Sequence, residues 1–213
     1  MSQTIATPRD LIVVSACRQI EATITGILTR TEALGIRKVD AGFIRHPNFD
    51  SGCCRTSQEF LRAQIHRFNY ALVVFDHEGS GRENEDPIEL GNDVRGVIER
   101  NGWGGRVEVI AIVPELETWV WSQSPRVERH LGWSGSNPGL REWLAQEGLL
   151  NPGELKPRRP KEALEKALEE KRMQRSSSLY LQLASTVALK GCSDSAMAKL
   201  CETLKKWFPN PGN

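Results

Sequence analysis

The stretch Ala71-Leu72-Val73-Val74-Phe75-Asp76-His77-Glu78-Gly79-Ser80-Gly81 decides the fold. Five apolar residues in a row, with no polar alternate, describe a strand buried on both faces. Asp76-His77-Glu78 stops it, and glycines turn the chain. Two carboxylates then stand at the C-terminal edge of a buried strand, where open α/β sheets bind their ligands. Asp76 and Glu78 share a face if the extended geometry runs on through His77. Paired hard oxygen donors suit Mg²⁺ and, through it, phosphate chemistry. The same residues also suit a solvated turn.

The flanking sequence builds outward from this strand. Residues 10–15 read as a buried first strand. Ile20, Ile24, Ile27, Leu28 and Leu34 then recur at helical spacing, and Gly35 ends that segment. A second strand is expected over 39–44, followed by a loop over 45–52. Thr56-Ser57-Gln58-Glu59 has the form of a capping box, opening a helix with Phe60, Leu61, Ile65 and Phe68 on its apolar face. Beyond the central strand, 79–85 is a polar loop. Asp86-Pro87-Ile88-Glu89 starts a helix with proline at its first position, running to about residue 100. Asn101-Gly102-Trp103-Gly104-Gly105 breaks it, 107–113 is a further strand, and a short helix opens at Pro114. Strands alternating with helices predict an α/β fold, a mostly parallel sheet with helices on both faces, over 8–124. Residues 125–213 predict a helical C-terminal region packed on it, with helices near 140–146, 161–172, 178–190 and 194–207. Ser193 or Asp194 caps the last, whose inner face is Met197, Leu200, Leu204 and Trp207.

Bulk composition excludes several classes. Of 213 residues, 39% are hydrophobic and 26% charged, as in globular proteins. The formal net charge of +1 gives no global attraction to nucleic acid or membrane, so any nucleic-acid surface is local. No apolar run is long enough for a bilayer, so no membrane association is expected. Met1-Ser2-Gln3-Thr4 lacks the pattern of a signal peptide. Cys17, Cys53, Cys54, Cys192 and Cys201 are odd in number and irregular in spacing, which predicts a reduced, cytoplasmic protein. A zinc site from His46, Cys53 and Cys54 is conceivable, but a cysteine-containing loop is the simpler reading.

A second acidic segment, Pro114-Glu115-Leu116-Glu117-Thr118-Trp119, follows the last strand and so lies on the same sheet edge. Glu115 and Glu117 could join Asp76 and Glu78 around a cation. They could equally complement a helix dipole in its first turn.

These two segments carry a resemblance. Val73-Val74-Phe75-Asp76-His77-Glu78-Gly79, followed after one helix by Ile112-Val113-Pro114-Glu115-Leu116-Glu117-Thr118-Trp119, resembles Toprim-like families of bacterial proteins. Leu189-Lys190-Gly191-Cys192-Ser193-Asp194-Ser195-Ala196 is similar to their C-terminal ends. Within that group the chain looks closest to a small component of methylation-associated anti-phage defence systems. The resemblance implies a Toprim-like sheet and Mg²⁺-dependent chemistry on phosphodiesters. Asp76, Glu78 and Glu117 would be catalytic residues and metal ligands, and nucleic acid or other defence proteins would be partners. Toprim enzymes also use a glutamate after the first strand. Here Ser15 occupies that corner, and the nearest glutamate, Glu21, lies a turn into the helix. The pair is also Asp-His-Glu rather than Asp-x-Asp. The departure implies a degenerate nuclease or a non-catalytic subunit that binds nucleotide, nucleic acid or a partner.

Basic residues supply the remaining candidates. Lys156-Pro157-Arg158-Arg159-Pro160-Lys161 is a basic run, with Lys171, Arg172 and Arg175 beyond it. Lys156, Arg158 and Arg159 could contact phosphates. The interleaved Glu162, Glu165, Glu169 and Glu170 favour a solvated helix face instead. Arg45, His46, Asp50 and Arg55, after the second strand, could bind an anion. Five of the six tryptophans lie between Trp103 and Trp143, consistent with packing of the C-terminal region onto the sheet.

Overall fold

A computed structural model describes residues 7–122, 124–187 and 194–210. Four strands, β1 (Arg9–Ser15), β2 (Ala41–Arg45), β3 (Phe68–Asp76) and β4 (Val107–Ile112), pair in parallel in the order β2-β1-β3-β4. The central pair explains the sequence pattern. Leu11 to Ser15 and Ala71 to Phe75 are all buried, because strands flanked on both sides and covered on both faces have no polar alternate.

Between the strands lie α1 (Arg18–Leu28), α2 (Thr31–Leu34), α3 (Phe49–Arg62) and α4 (Pro87–Ile98). Right-handed crossovers put α1 on one face and α3 and α4 on the other. The start of α4 is as expected, with Asp86 accepting from the amides of Ile88 and Glu89 and Pro87 in the first turn. A π-turn, Glu99–Trp103, ends the segment.

The start of α3 differs from expectation. The helix begins at Phe49, so Cys53 and Cys54 are helical rather than in a loop, and Thr56 and Ser57 lie in its interior. Their hydroxyls donate back to the carbonyls of Gly52 and Cys53 instead of capping. What fixes the true start is His46. Its Nδ1 accepts from the Asn48 amide at 3.1 Å, and its ring packs against Gly52 so closely that a Cβ there would lie 2.0 Å from Nδ1. Phe68, expected on this helix, is instead the first residue of β3.

Beyond β4 come a 3-10 turn (Leu116–Trp119), then α5 (Pro125–His130), α6 (Leu140–Gln146), α7 (Pro160–Glu170), α8 (Ser177–Thr186) and α9 (Ser195–Trp207). The short helix expected at Pro114 is that 3-10 turn, and α5 had no strong periodic signal. Asp194 caps α9, accepting from the Met197 amide at 3.0 Å. Ser193, Cys192 and residues 188–190 lie outside the described residues, as does Met1-Ser2-Gln3-Thr4. No helix among the described residues is long and apolar enough to cross a membrane.

Tryptophans fix these later helices to the sheet edge. The Trp121 indole N–H donates to the Pro160 carbonyl at 2.8 Å, and that of Trp119 to Asp194 Oδ1 at 2.9 Å. An indole N–H withdrawn from water needs an acceptor, and the buried Trp121 and half-buried Trp119 find theirs at the N-termini of α7 and α9. The N-terminus of α7 is thereby held above the C-terminal edge of the strands.

Candidate functional site

The chain leaves β1 toward β2 and leaves β3 toward β4, so the connections after these two paired strands run in opposite directions. Such a switch point opens a crevice beside both strands. Asp76, the last residue of β3, stands there. Its backbone N–H donates to Asp50 Oδ1 at 2.8 Å, and its own Oδ1 accepts from the Leu116 N–H at 2.8 Å. Glu115 Oε1 accepts from the Lys161 N–H at 2.9 Å. Carboxylate-to-amide bonds thus run from α3 to β3 to the 3-10 turn, and from that turn's entry to α7.

These residues line a cleft of about 580 Å³. The sheet edge contributes Asp50, Asp76, Glu78, Gly79, Pro114 and Glu115, and α7 with its approach contributes Arg158, Arg159, Pro160, Lys161, Glu162 and Glu165. Six carboxylates face three cations, so the cleft as a whole favours positive charge. Proton affinities agree. Burial, reinforced by the charges of Asp50 and Glu117, holds the Asp76 carboxyl well above the ordinary carboxylate range. Burial likewise raises Asp50 and Glu115. The Cys17 thiol, just past β1, is pushed up by burial and by the nearby Asp76 and Asp50.

The predicted residues are distributed unevenly. Asp76 and Glu78 share the cleft with Glu115. Glu117 lies behind it, 1% exposed, its Oε1 accepting from both Arg175 and Tyr180 on the C-terminal side. Of the basic candidates, Arg158 and Arg159 reach the cleft, each also paired with a neighbouring glutamate, Glu154 at 2.8 Å and Glu162 at 3.3 Å. Lys156 turns to Asp194 at 3.9 Å, and Arg45 to Glu21 at 3.2 Å. Glu21 is therefore engaged outside the cleft. Arg55 lies against Gly81. His46 is buried with Nε2 against Thr56 Oγ1 at 3.0 Å and Nδ1 on the Asn48 amide, so both ring nitrogens are occupied.

No family model, curated protein or solved structure matches this chain. The site therefore stands on its own geometry.

Among the described residues, no three His, Cys, Asp or Glu side chains converge as a fully protein-built metal cage requires. The donor set still fits a hard cation of lower demand. Mg²⁺ is commonly held by one or two carboxylates, with water and phosphate oxygens completing the octahedron. Ser15 adds a further mark. It is fully buried, and its hydroxyl has no hydrogen-bond partner among the described residues. Ser15 and Val74 are register partners, so Ser15 shares a sheet face with Asp76, two residues beyond Val74.

Asp50, expected with Arg45, His46 and Arg55 in an anion-binding loop, lines the acidic cleft with Asp76, Glu78 and Glu115. Its signal was positional. It follows β2, and every strand-to-helix junction of a parallel sheet opens on the same edge. Lys161 belongs to a basic run, and nothing in local sequence indicates that α7 returns to that edge.

Proposed function

We propose that the crevice binds a divalent cation, Mg²⁺ by the hardness of its donors, and acts on phosphodiesters of nucleic acid. The observation that carries this reading is the excess of carboxylates with raised proton affinity in one open cleft, opposed by a row of basic residues. Buried acids that repel one another are stabilised by a proton or by a metal ion. Asp76 with Glu78 or Asp50 would hold the ion. Once bound, it would polarise a phosphoryl oxygen and acidify a coordinated water. Arg158, Arg159 and Lys161 would meet the remaining phosphate charge from the opposite wall. Resemblance of the two strand-end motifs to Toprim-like families is what supports a role in prokaryotic anti-phage defence.

A second reading rests on Ser15 and on the committed carboxylate oxygens. With serine at the first-strand corner, the site lacks an acid at that position, and one oxygen each of Asp50, Asp76 and Glu115 is spent on a backbone amide. In that case the crevice belongs to a binding subunit of a defence complex that holds nucleotide, nucleic acid or a partner without cutting.

The deciding experiment incubates single- and double-stranded DNA and RNA with the protein and Mg²⁺ or Mn²⁺. Cleavage that falls by about 100-fold or more in Asp76→Asn/Glu78→Gln supports the catalytic reading. Metal binding without cleavage supports the binding subunit. Cleavage untouched by the double substitution removes this crevice from the chemistry.

A further inference from the structure

The turn after β3 is closed by an anion of the chain itself. The backbone N–H groups of Gly79 and Gly81 both donate to Glu83 Oε1, at 3.0 and 2.9 Å. Amides of residues i and i+2 aimed at one oxygen form a nest, a concavity suited to oxyanions such as phosphate. The backbone here requires glycine, with φ of +90° at Gly79 and +75° at Gly81. Arg55 lies over the same turn. A Cβ on Gly81 would come within 2.7 Å of its Nη2, and Arg55 forms no ion pair among the described residues. Other arginines near the crevice, Arg45, Arg82, Arg158 and Arg159, each face a carboxylate. Gly79, Gly81, Glu83 and Arg55 are all exposed, and Gly79 also lines the acidic cleft.

We propose that the Gly79 and Gly81 amides, with the Arg55 guanidinium, form a phosphate-binding subsite beside the cleft, and that Glu83 fills it as a displaceable internal anion. This deepens the phosphodiester reading and rests on it for the identity of the ligand. A phosphate entering the nest takes the two amide hydrogen bonds, and the Glu83 carboxylate swings into solvent. Glu83 would thus keep the subsite closed to weakly binding anions. Arg55 would select a doubly charged or chain-borne phosphate over a carboxylate, because its planar fork matches phosphate oxygens.

The test uses the full chain in EDTA, so that metal binding plays no part. Inorganic phosphate is titrated while the Gly79 and Gly81 amide resonances are followed by NMR. Glu83→Ala should bind phosphate at least about tenfold more tightly than wild type, the change expected from removing one charge-assisted competitor. Glu83→Gln, whose carbonyl can still hold the turn, should show a smaller gain in the same direction. Adding Arg55→Gln to Glu83→Ala should cancel the gain. A 5′-phosphorylated single-stranded oligonucleotide serves as a second probe. A stronger response than to inorganic phosphate assigns the subsite to nucleic acid, and an equal one assigns it to free phosphate. The proposal is overturned if neither Glu83 variant gains affinity, if the two amides do not shift, or if Arg55→Gln has no effect. Loss of the subsite with metal binding intact would leave the phosphodiester reading standing. Phosphate binding without any metal site would do the reverse.

Discussion

Asp50 Oδ1 accepts the backbone N–H of Asp76 at 2.8 Å, joining residues 26 positions apart. One acid thereby fixes the place of another. The first turn of α3 is bound to the end of β3, and the crevice between β1 and β3 acquires two carboxylates at a set spacing. Removing the acceptor strands an amide at a strand end. Asp50→Ala should therefore cost about 1–3 kcal/mol in urea denaturation at neutral pH. Asp50→Asn keeps an acceptor and sheds a repelled charge, so it should be at least as stable as wild type. Equal losses for both variants would show that the charge, not the amide bond, is what matters.

The contribution of the crevice acids to stability should depend on pH in an unusual direction. Asp76, Asp50 and Glu115 all titrate above the ordinary carboxylate range of about 3.9–4.3. Between that range and their raised folded values, the native state binds more protons than the unfolded state. The slope of unfolding free energy with pH from these groups is then negative. Their favourable contribution is complete below about pH 4 and is lost as pH rises. Asp76→Asn, which keeps an Oδ1 acceptor for Leu116, should gain on wild type as pH rises and lose that advantage toward pH 4. Melting curves of both proteins across pH check this, and a gap that does not change with pH would contradict it.

Gly52 should tolerate no side chain. A Cβ would sit 2.0 Å from His46 Nδ1 and 2.2 Å from Cε1, and overpacking of this kind costs about 1–3 kcal/mol. The cost should shrink when His46 is also truncated. A double-mutant cycle of Gly52→Ala and His46→Ala measures that coupling, and strict additivity would mean that His46 does not set the start of α3.

Glu117 is 1% exposed and depends on Arg175 and Tyr180 for its compensation. Arg175→Met leaves a buried carboxylate without its cation and should cost about 3–5 kcal/mol. Tyr180→Phe removes one donor and should cost about 1–3 kcal/mol. Denaturation of the two variants gives both values, and an Arg175→Met protein as stable as wild type would show that the ion pair is not needed.

The parallel sheet was legible because β1 and β3 are unbroken apolar runs, and their burial on both faces leaves no other pattern. The edge position of Asp76, Glu78 and Glu115 followed from the same logic. The beginning of α3 was not legible. A threonine and serine that bond back to the i−4 carbonyls look the same in sequence as a capping pair, and only the packing of His46 on Gly52 separates the two cases. Nor could local pattern show that α7 would return above the sheet. That placement depends on Trp121 meeting the Pro160 carbonyl across 39 residues. Glu117 shows the converse limit. It has the spacing of a ligand, but a tyrosine and an arginine far along the chain occupy one of its oxygens.

Whether the acids of this crevice hold a divalent cation is read by titrating Mn²⁺, as a paramagnetic stand-in for Mg²⁺, into wild type and Asp76→Asn/Glu78→Gln at neutral pH. The wild type should bind saturably, and the variant should lose at least about tenfold in affinity, since two charged donors are removed. No saturable binding by the wild type, or equal affinity in both proteins, would contradict a cation held by these acids.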